Sequence, residues 1–380
     1  MERIKVGIIG TGFSAMAHIE ALRRIPFVEV IAISSSSKEK SIEFSKKMCI
    51  PKAYGDADEL IRDPEVQAVH NCTPNSLHFE INKKVLLAGK HLLSEKPLAV
   101  NSEQSGELLR LAGESGVVSG VSFNYRHYPM VSQVKEMLES GSNGKPNLVY
   151  GGYIQDWLSN DTDYSWRLEE DKNGPSRAIA DIGSHWCDTV QYVLNKKITE
   201  VFADLKIVHP IRKKPKGKVN TFESSNDVER EEVKITTEDY GSVLVHFEDG
   251  VQGVFTVSQV TAGRKNRLYF EISAERSSFA WDQENPNRLW VGKRDHSNEE
   301  WLRDPDLLSP KSVSLAHYPG GHQEGWPDGL KNLCIDFYQK VRNRDHESSF
   351  ATFSDGHRIM RLIDAILKSH REKRWVSLAE

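Results

Sequence analysis

The feature that most constrains this chain lies at its start. The apolar run "RIKVGIIG" over residues 3–10 leads directly into Gly10-Thr11-Gly12-Phe13-Ser14-Ala15, and apolar residues at helical spacing follow in "AMAHIEALRRI" over 15–25. A β-branched run, a G-x-G-x-x-A turn and a helix in that order open a βαβ unit. The first glycine permits a tight turn, the second lets backbone approach a pyrophosphate, and the helix N-terminus offers its free N–H groups to that anion. Gly10, Thr11, Gly12, Phe13 and Ser14 are therefore expected to hold a dinucleotide.

The pattern continues for about 125 residues. "VEVIAIS" (28–34), "VQAVHNCT" (66–73), "HLLSE" (91–95) and "VVSGVSFN" (117–124) read as strands, while segments 41–48, 78–89 and 102–116 read as helices. The third helix opens at Ser102 and ends near Gly113 or Gly116, residues suited to caps. Strands alternating with helices predict a parallel sheet with crossover helices. A dinucleotide-binding fold normally ends its second strand in a carboxylate that binds the ribose diol. Here Ser34 stands at that tip, with Ser35 to Ser37 and then Lys38 and Lys40 behind it. Hydroxyls and ammonium groups accept a 2′-phosphate that a carboxylate would repel, so NADP is favoured over NAD, with Ser34, Ser35 and Lys38 as contacts.

After about residue 145 the alternation gives way to consecutive strands at 147–157, 201–208, 241–250, 251–260, 267–275 and 277–283, two of them joined by the turn "FEDGVQG". A mixed, mainly antiparallel sheet follows. The expected organisation is α/β: a dinucleotide-binding domain over 1–125 and an α+β domain over 126–380. The helical patterns at 329–343 and 356–373 fall in the second, the latter with the option of packing back on the first. The polar segment 212–232, with opposed charge blocks that include Glu231 and Glu232, reads as a solvated loop.

The balance of charge, 50 Lys and Arg against 54 Asp and Glu, leaves −4 and no basic field for nucleic acid. The longest apolar stretches are too short to span a membrane, and the N-terminus lacks a signal pattern, so a cytoplasmic protein is expected. The scattered Cys49, Cys72, Cys187 and Cys334 read as buried thiols without a disulfide framework, and no cluster has metal-ligand spacing.

Two further segments carry chemistry. "LLSEKPLAV" (92–100) ends a strand with Glu95, Lys96 and Pro97 at a polar tip. "ADIGSHWCDTVQYVL" (180–194) sets Asp181, His185 and Asp188 at spacings of four and three, one face of a helix. Histidine takes a proton readily near neutral pH, and a carbinol losing hydride must also lose its hydroxyl proton.

Gly10-Thr11-Gly12, "CTPNSLH" (72–78), "EKPLA" (95–99) and "ADIGSHWCD" (180–188), with "YSWR" (164–167) and "GGHQEGW" (320–326), resemble the oxidoreductase family named after glucose-fructose oxidoreductase, inositol dehydrogenase and MocA. The resemblance runs nearly the full length. It implies an N-terminal Rossmann domain and a C-terminal domain on a large open-faced sheet that often makes homodimer or homotetramer contacts. It implies that Glu95 and Lys96, before a frequently cis Pro97, stand at the cofactor, Lys96 beside the nicotinamide where it hydrogen-bonds the reacting hydroxyl. A cation there favours an alkoxide-like transition state. His185 matches the family's general base and Asp181 its substrate ligand or orienter. Thr73, Pro74, Asn75 and His78 match the loop against the cofactor; Tyr125, Arg126, Trp157, Trp166 and Arg167 match the substrate cleft, which His322 could also reach. The expected activity moves a hydride between nicotinamide and a secondary hydroxyl of a sugar, sugar derivative or cyclitol, without a metal. The alternatives are a glycoside hydrolase that retains its NAD and a non-catalytic dinucleotide-binding regulator.

Overall fold

The apolar runs of the first part of the chain become strands buried on both faces, as crossover helices require. A computed structural model describes residues 3–216 and 229–378. In chain order the elements are β1 (Ile4–Ile9), α1 (Phe13–Arg23), β2 (Val28–Ser34), α2 (Lys38–Met48), β3 (Lys52–Tyr54), α3 (Ala57–Arg62), β4 (Ala68–Asn71), α4 (His78–Leu87), β5 (His91–Ser94), α5 (Ser102–Ser115), β6 (Ser119–Val121) and α6 (Pro129–Glu139). There follow β7 (Pro146–Ile154), α7 (Glu170–Asn173), α8 (Ser184–Leu194), β8 (Ile198–Lys206), β9 (Ile211–Pro215), β10 (Arg230–Lys234), β11 (Tyr240–Phe247), β12 (Gln252–Ser258), β13 (Arg267–Ala274), β14 (Ser277–Asp282), β15 (Arg288–Lys293) and β16 (Glu299–Leu302). The chain closes with α9 (Pro310–Val313), α10 (Trp326–Arg342), β17 (Ala351–Thr352), α11 (Phe353–Glu372) and β18 (Val376–Ser377).

Two compact units result: one of residues up to His127 with Trp326–Met360, the other of Tyr128–Gly325 with Arg361–Glu380. The first holds a seven-stranded sheet in the order β17-β6-β5-β4-β1-β2-β3, parallel except where β17 joins β6. Segment 326–360, which the sequence pattern places with the second domain, thus belongs to the first unit. The reason is the apolar face of α10: Leu330, Leu333, Cys334, Phe337 and Tyr338 are buried in one core with Val6 and Ile8 of β1 and Ile19 and Leu22 of α1. Helix α5 is capped by the Asn101 side chain rather than by Ser102, and ends at Gly116 in the left-handed conformation.

Asp336 on α10 ties this segment down. Its carboxylate lies 3.2 Å from His127 Nε2 and 2.8 Å from His346 Nε2, and accepts N–H bonds from Ser349 and Phe350. Burial alone would raise its pKa; the hydrogen bond and charge of His127, then His346 and the Ser349 N–H, outweigh it and hold the pKa at about 2. Because the folded value lies below the unfolded one, the stabilisation, about 2 kcal/mol, is present above about pH 4 and fades as pH falls towards 2. Urea unfolding between those pH values should show that loss in the parent chain, and a flatter dependence in Asp336→Asn.

The second unit holds a nine-stranded sheet, β16-β15-β14-β13-β7-β12-β11-β8-β18, in which β7 and β12 pair parallel and the other pairs are antiparallel. Burial alternates along β13 and β14, so one face is covered and the other open. Helix α8 lies on the covered face, with Trp186 stacked on Phe255 at 4.6 Å and donating from Nε1 to the Tyr269 carbonyl. Gly151 of β7 makes that approach possible: a Cβ there would stand 2.8 Å from Trp186 Nε1 and 2.2 Å from the Tyr269 carbonyl oxygen. Asp249 and Gly250 form the expected turn between β11 and β12, both at positive φ.

Segment 212–232 is a correction to the sequence reading. Its ends are strands, β9 and β10, forming a two-stranded antiparallel sheet; residues 217–228 lie outside the described residues. Glu231 and Glu232 are exposed on β10. Arg212 is wholly buried, held by the Leu158 and Asn160 carbonyls and by Asp239, so a residue within a polar run became a core anchor.

Candidate active site

The order of the first sheet reverses at β1, whose neighbours are β2 on one side and β4 on the other. At such a switch point the loops at the carboxyl ends of neighbouring strands diverge and leave a crevice. Gly10 follows β1 there with φ +114°, and a Cβ would sit 2.5 Å from the Cys72 carbonyl oxygen, so only glycine fits. Gly12, the N-cap of α1, has nothing within 4 Å of a built Cβ, and no side chain caps that helix. A helix N-terminus without a side-chain cap suits an anion, and Gly12 and Phe13 are exposed. Ser14 is half-buried, and the Phe13 ring lies 5.6 Å from Trp326. These residues fit a dinucleotide pyrophosphate.

After β2 the serines divide their work. Ser34 is wholly buried, its hydroxyl turned inside the unit. Ser35 Oγ lies 3.2 Å from Thr11 Oγ1, joining the turns after β1 and β2. Ser37 caps α2, and Ser36 accepts from Lys40 Nζ at 2.8 Å. Lys38 donates to the Ala53 carbonyl and lies over the Tyr54 ring, which directs it towards β3. Ser35, Ser36 and Lys40 therefore form the polar edge of this turn.

A polar ladder that sequence reasoning missed joins the ends of β4 and β5. Thr73 Oγ1 donates to Asn71 Oδ1 at 2.7 Å, Asn71 Nδ2 to Asn82 Oδ1 at 2.9 Å, Asn82 Nδ2 to Ser94 Oγ at 2.9 Å, and Ser94 Oγ to the Glu95 carbonyl at 2.9 Å. Buried amides satisfied on both ends make a rigid strut. Asn75 is buried and Pro74 half-buried beside it. His78 is buried between the two loops, with Nδ1 2.7 Å from the Pro97 carbonyl and Nε2 2.9 Å from that of Thr73; burial lowers its pKa, and the neutral ring donates to one of the two. Lys96 is half-buried, its N–H donating to Glu95 Oε2 at 3.2 Å, and the Lys96–Pro97 bond is cis. Tyr125 is buried; Arg126 is committed to Asp355 at 3.5 Å and to the Ser349 carbonyl.

In the second unit Asp181 sits in a π-helical turn, Ile179–Gly183, that runs directly into α8. Wider turns of this kind recur at functional sites. Asp181 Oδ2 accepts from Gln259 Nε2 at 3.0 Å, and Oδ1 lies 3.6 Å from Arg167 Nε. Gln259 is oriented in turn, because its Oε1 accepts from Arg177 Nη1 at 2.9 Å, which leaves the NH2 for Asp181. The structure thus brings Arg167, whose guanidinium covers the Trp166 ring at 4.6 Å, to Asp181. His185 is buried on α8, its ring 6.0 Å from that of Tyr153. Trp157 is partly buried and packs against a small apolar cluster of Leu158, Leu168 and Ile235. His322 is exposed on a loop whose Tyr318, Pro319 and His322 carbonyls all accept from buried Arg303. Gln259 and Arg177 carry no signal in one sequence, since a glutamine ending a strand and an arginine before a helix are ordinary there.

Among the described residues no helix is long and apolar enough to cross a membrane. Residues 4–123 match a model described as an oxidoreductase family with an NAD-binding Rossmann fold, and residues 131–280 match the GFO/IDH/MocA C-terminal domain. Levoglucosan dehydrogenase of Pseudarthrobacter phenanthrenivorans is 27% identical over 400 aligned positions, covering 100% of this chain and 99% of that protein. A solved structure of levoglucosan dehydrogenase in complex with NADH and L-sorbose superposes with a TM-score of 0.90 at 26% identity, covering 100% of both chains. Myo-inositol 2-dehydrogenase of Thermotoga maritima is 30% identical over 201 residues, 53% of this chain and 58% of that one. With both of its domains matched, on a fold and glycine turn built for a dinucleotide, the chain belongs to the Gfo/Idh/MocA family of oxidoreductases.

Proposed function

We propose that this chain is a sugar or cyclitol dehydrogenase or reductase, moving a hydride between a nicotinamide dinucleotide and a secondary hydroxyl or ketone. The observation that carries it is the full-length likeness to levoglucosan dehydrogenase, in a chain whose Lys96, Asp181 and His185 suit that chemistry. The nicotinamide, when bound, supplies or takes up the hydride. The protein's own groups manage the proton and the charge. His185 removes the hydroxyl proton during oxidation, and Lys96 stabilises the negative charge developing on that oxygen. Asp181 already accepts from Gln259 beside Arg167. Each carboxylate oxygen has two lone pairs, so Asp181 can also take a hydrogen bond from a substrate hydroxyl. Trp166 under Arg167 supports a sugar ring as the partner, and Tyr125, Trp157 and His322 are assigned to the same substrate.

NADP is the favoured nucleotide. Support comes from the absence of a carboxylate at the tip of β2 and from Ser35, Ser36 and Lys40 along its polar edge; Lys38 is the weaker contact because it is turned to Ala53 and Tyr54. Ser35→Asp should lower kcat/KM with NADP by about 10- to 100-fold relative to NAD, through repulsion of the 2′-phosphate. Steady-state kinetics with both nucleotides checks it, and an unchanged ratio would remove the serine turn from the discrimination.

A homo-oligomer is supported by exposed Leu148, Tyr150, Leu244 and Val254, neighbours on the open face of the second sheet. The deciding experiment is absorbance at 340 nm with NAD and NADP offered separately against sugars, anhydrosugars and inositols, in both directions. Net reduction or oxidation of nucleotide with a sugar supports the proposal. Glycoside cleavage without net change would point to the hydrolase, and binding without turnover to a regulator.

A further inference from the structure

Behind the Glu95–Lys96 segment the first unit buries two histidines against each other. His18, on α1, and His70, on β4, are wholly buried, and their Nδ1 atoms face one another at 2.6 Å. The outer nitrogens are also engaged: His18 Nε2 lies 2.9 Å from Glu95 Oε1, and His70 Nε2 lies 2.8 Å from the Tyr338 hydroxyl. Ser122 Oγ stands 3.4 Å from His18 Nε2.

Cys334 completes a set of three buried donors within 4.8 Å of one another, which raises the question of a metal ion. Two imidazole nitrogens on one tetrahedral ion, each about 2.0–2.1 Å from it, would stand about 3.3 Å apart. The observed 2.6 Å is instead the separation of a short hydrogen bond. Burial also keeps the Cys334 thiol protonated and the His70 imidazole neutral.

The protons can then be counted. At 2.6 Å the facing nitrogens cannot both carry a proton or both present a lone pair. The Glu95 carboxylate accepts, so His18 carries a proton on Nε2; with His18 a neutral imidazole, its Nδ1 presents a lone pair, whereas an imidazolium would donate there and reverse the chain. His70 therefore donates from Nδ1 and accepts at Nε2, and Tyr338, which burial keeps a phenol, supplies that proton. Each donor in the chain finds one acceptor. Its inner end, Tyr338, is wholly buried, so the chain orients a group and does not conduct a proton to solvent. Its outer end is the carboxylate whose other oxygen holds the Lys96 N–H.

We propose that Tyr338, His70 and His18 form a one-directional hydrogen-bond chain that fixes the Glu95 carboxylate and, through it, the backbone of Lys96, making His18 and His70 positioning residues for the reaction. This rests on the role given to Lys96 above. A positioning error of about 1 Å at a reacting group costs on the order of 100-fold in rate.

The test has two arms. In ring-nitrogen NMR of histidine-labelled protein, His18 is expected as the Nε2–H tautomer and His70 as the Nδ1–H tautomer between about pH 6 and 9. Identical tautomers, an imidazolium at either ring, or stoichiometric zinc in the purified protein would overturn the chain, and none of these readings needs a substrate. In the kinetic arm, His18→Leu should lower kcat about 10- to 100-fold with the NADPH dissociation constant within about twofold. His18→Gln, whose amide can give an N–H to Glu95 and take one from His70, should recover most of that loss. Equal losses in both variants, or a loss confined to nucleotide binding, would overturn the positioning role. A wild-type protein inactive on every sugar would instead remove the proposed reaction, leaving the tautomer spectra to judge the hydrogen-bond chain.

Discussion

Lys96→Ala is expected to bind dinucleotide within about threefold of the parent's dissociation constant while turnover falls about 10²–10³-fold, the loss typical of one charge-stabilising donor. The separation follows from where the parts lie. The groups proposed to face the phosphates are the backbone of Gly12 and the first turn of α1, which the substitution does not touch. The ladder from Thr73 to the Glu95 carbonyl and the His78 ring between the Thr73 and Pro97 carbonyls hold the loop by groups other than the lysine side chain. Nucleotide fluorescence titration and single-turnover absorbance at 340 nm measure the two quantities separately. Full turnover in this variant would remove Lys96 from the chemistry, and a parallel loss of binding would make it a cofactor ligand only.

The second large effect concerns stability. Asp239 is wholly buried, with Oδ1 accepting from both Arg177 and Arg212 and Oδ2 accepting from the Val208 and His209 N–H groups. Burial would raise its pKa, but the charge and hydrogen bond of Arg177, then Arg212, hold it below the ordinary carboxylate range. Asp239→Asn leaves two buried guanidinium groups without their counter-charge, and removing one partner of such a pair costs about 3–5 kcal/mol. That is a large part of the 5–15 kcal/mol by which a domain is usually stable. Urea unfolding followed by tryptophan fluorescence should show the loss, and a midpoint unchanged from the parent would mean that solvent or a neighbouring group compensates. Because Arg177 also orients Gln259 against Asp181, a folded fraction of this variant should be impaired in kcat/KM.

What was legible in the sequence was whatever short-range physics decides. The glycine turn between a β-branched run and a helical pattern needs no distant partner, since Gly10 is required by its own φ and by the adjacent Cys72 carbonyl. Strands β2 and β5 are legible nearly to the residue because the β-branched stretch of β2 is closed by serines and the Leu92-Leu93 pair of β5 is bounded by Gly89 on one side and Glu95-Lys96-Pro97 on the other. Arg212 shows the opposite case. Its neighbours Lys213 and Lys214 are charged, and nothing local distinguishes the one side chain that is swallowed by the Leu158 and Asn160 carbonyls and Asp239. The helical spacing of Asp181 and His185 likewise gave no sign that a π turn would carry the first of them.

The sequence by itself determined the fold class and the dinucleotide turn, because periodicity and glycine sterics act over a few residues at a time, and its resemblance to a known family supplied Lys96, Asp181 and His185 as candidate reacting residues. Only the tertiary structure decided the partners that orient those groups. His18, His70 and Tyr338 are separated by 52 and 268 positions in the chain, and Asp181 and Gln259 by 78. A hydrogen bond forms between atoms about 3 Å apart, whatever their distance along the chain.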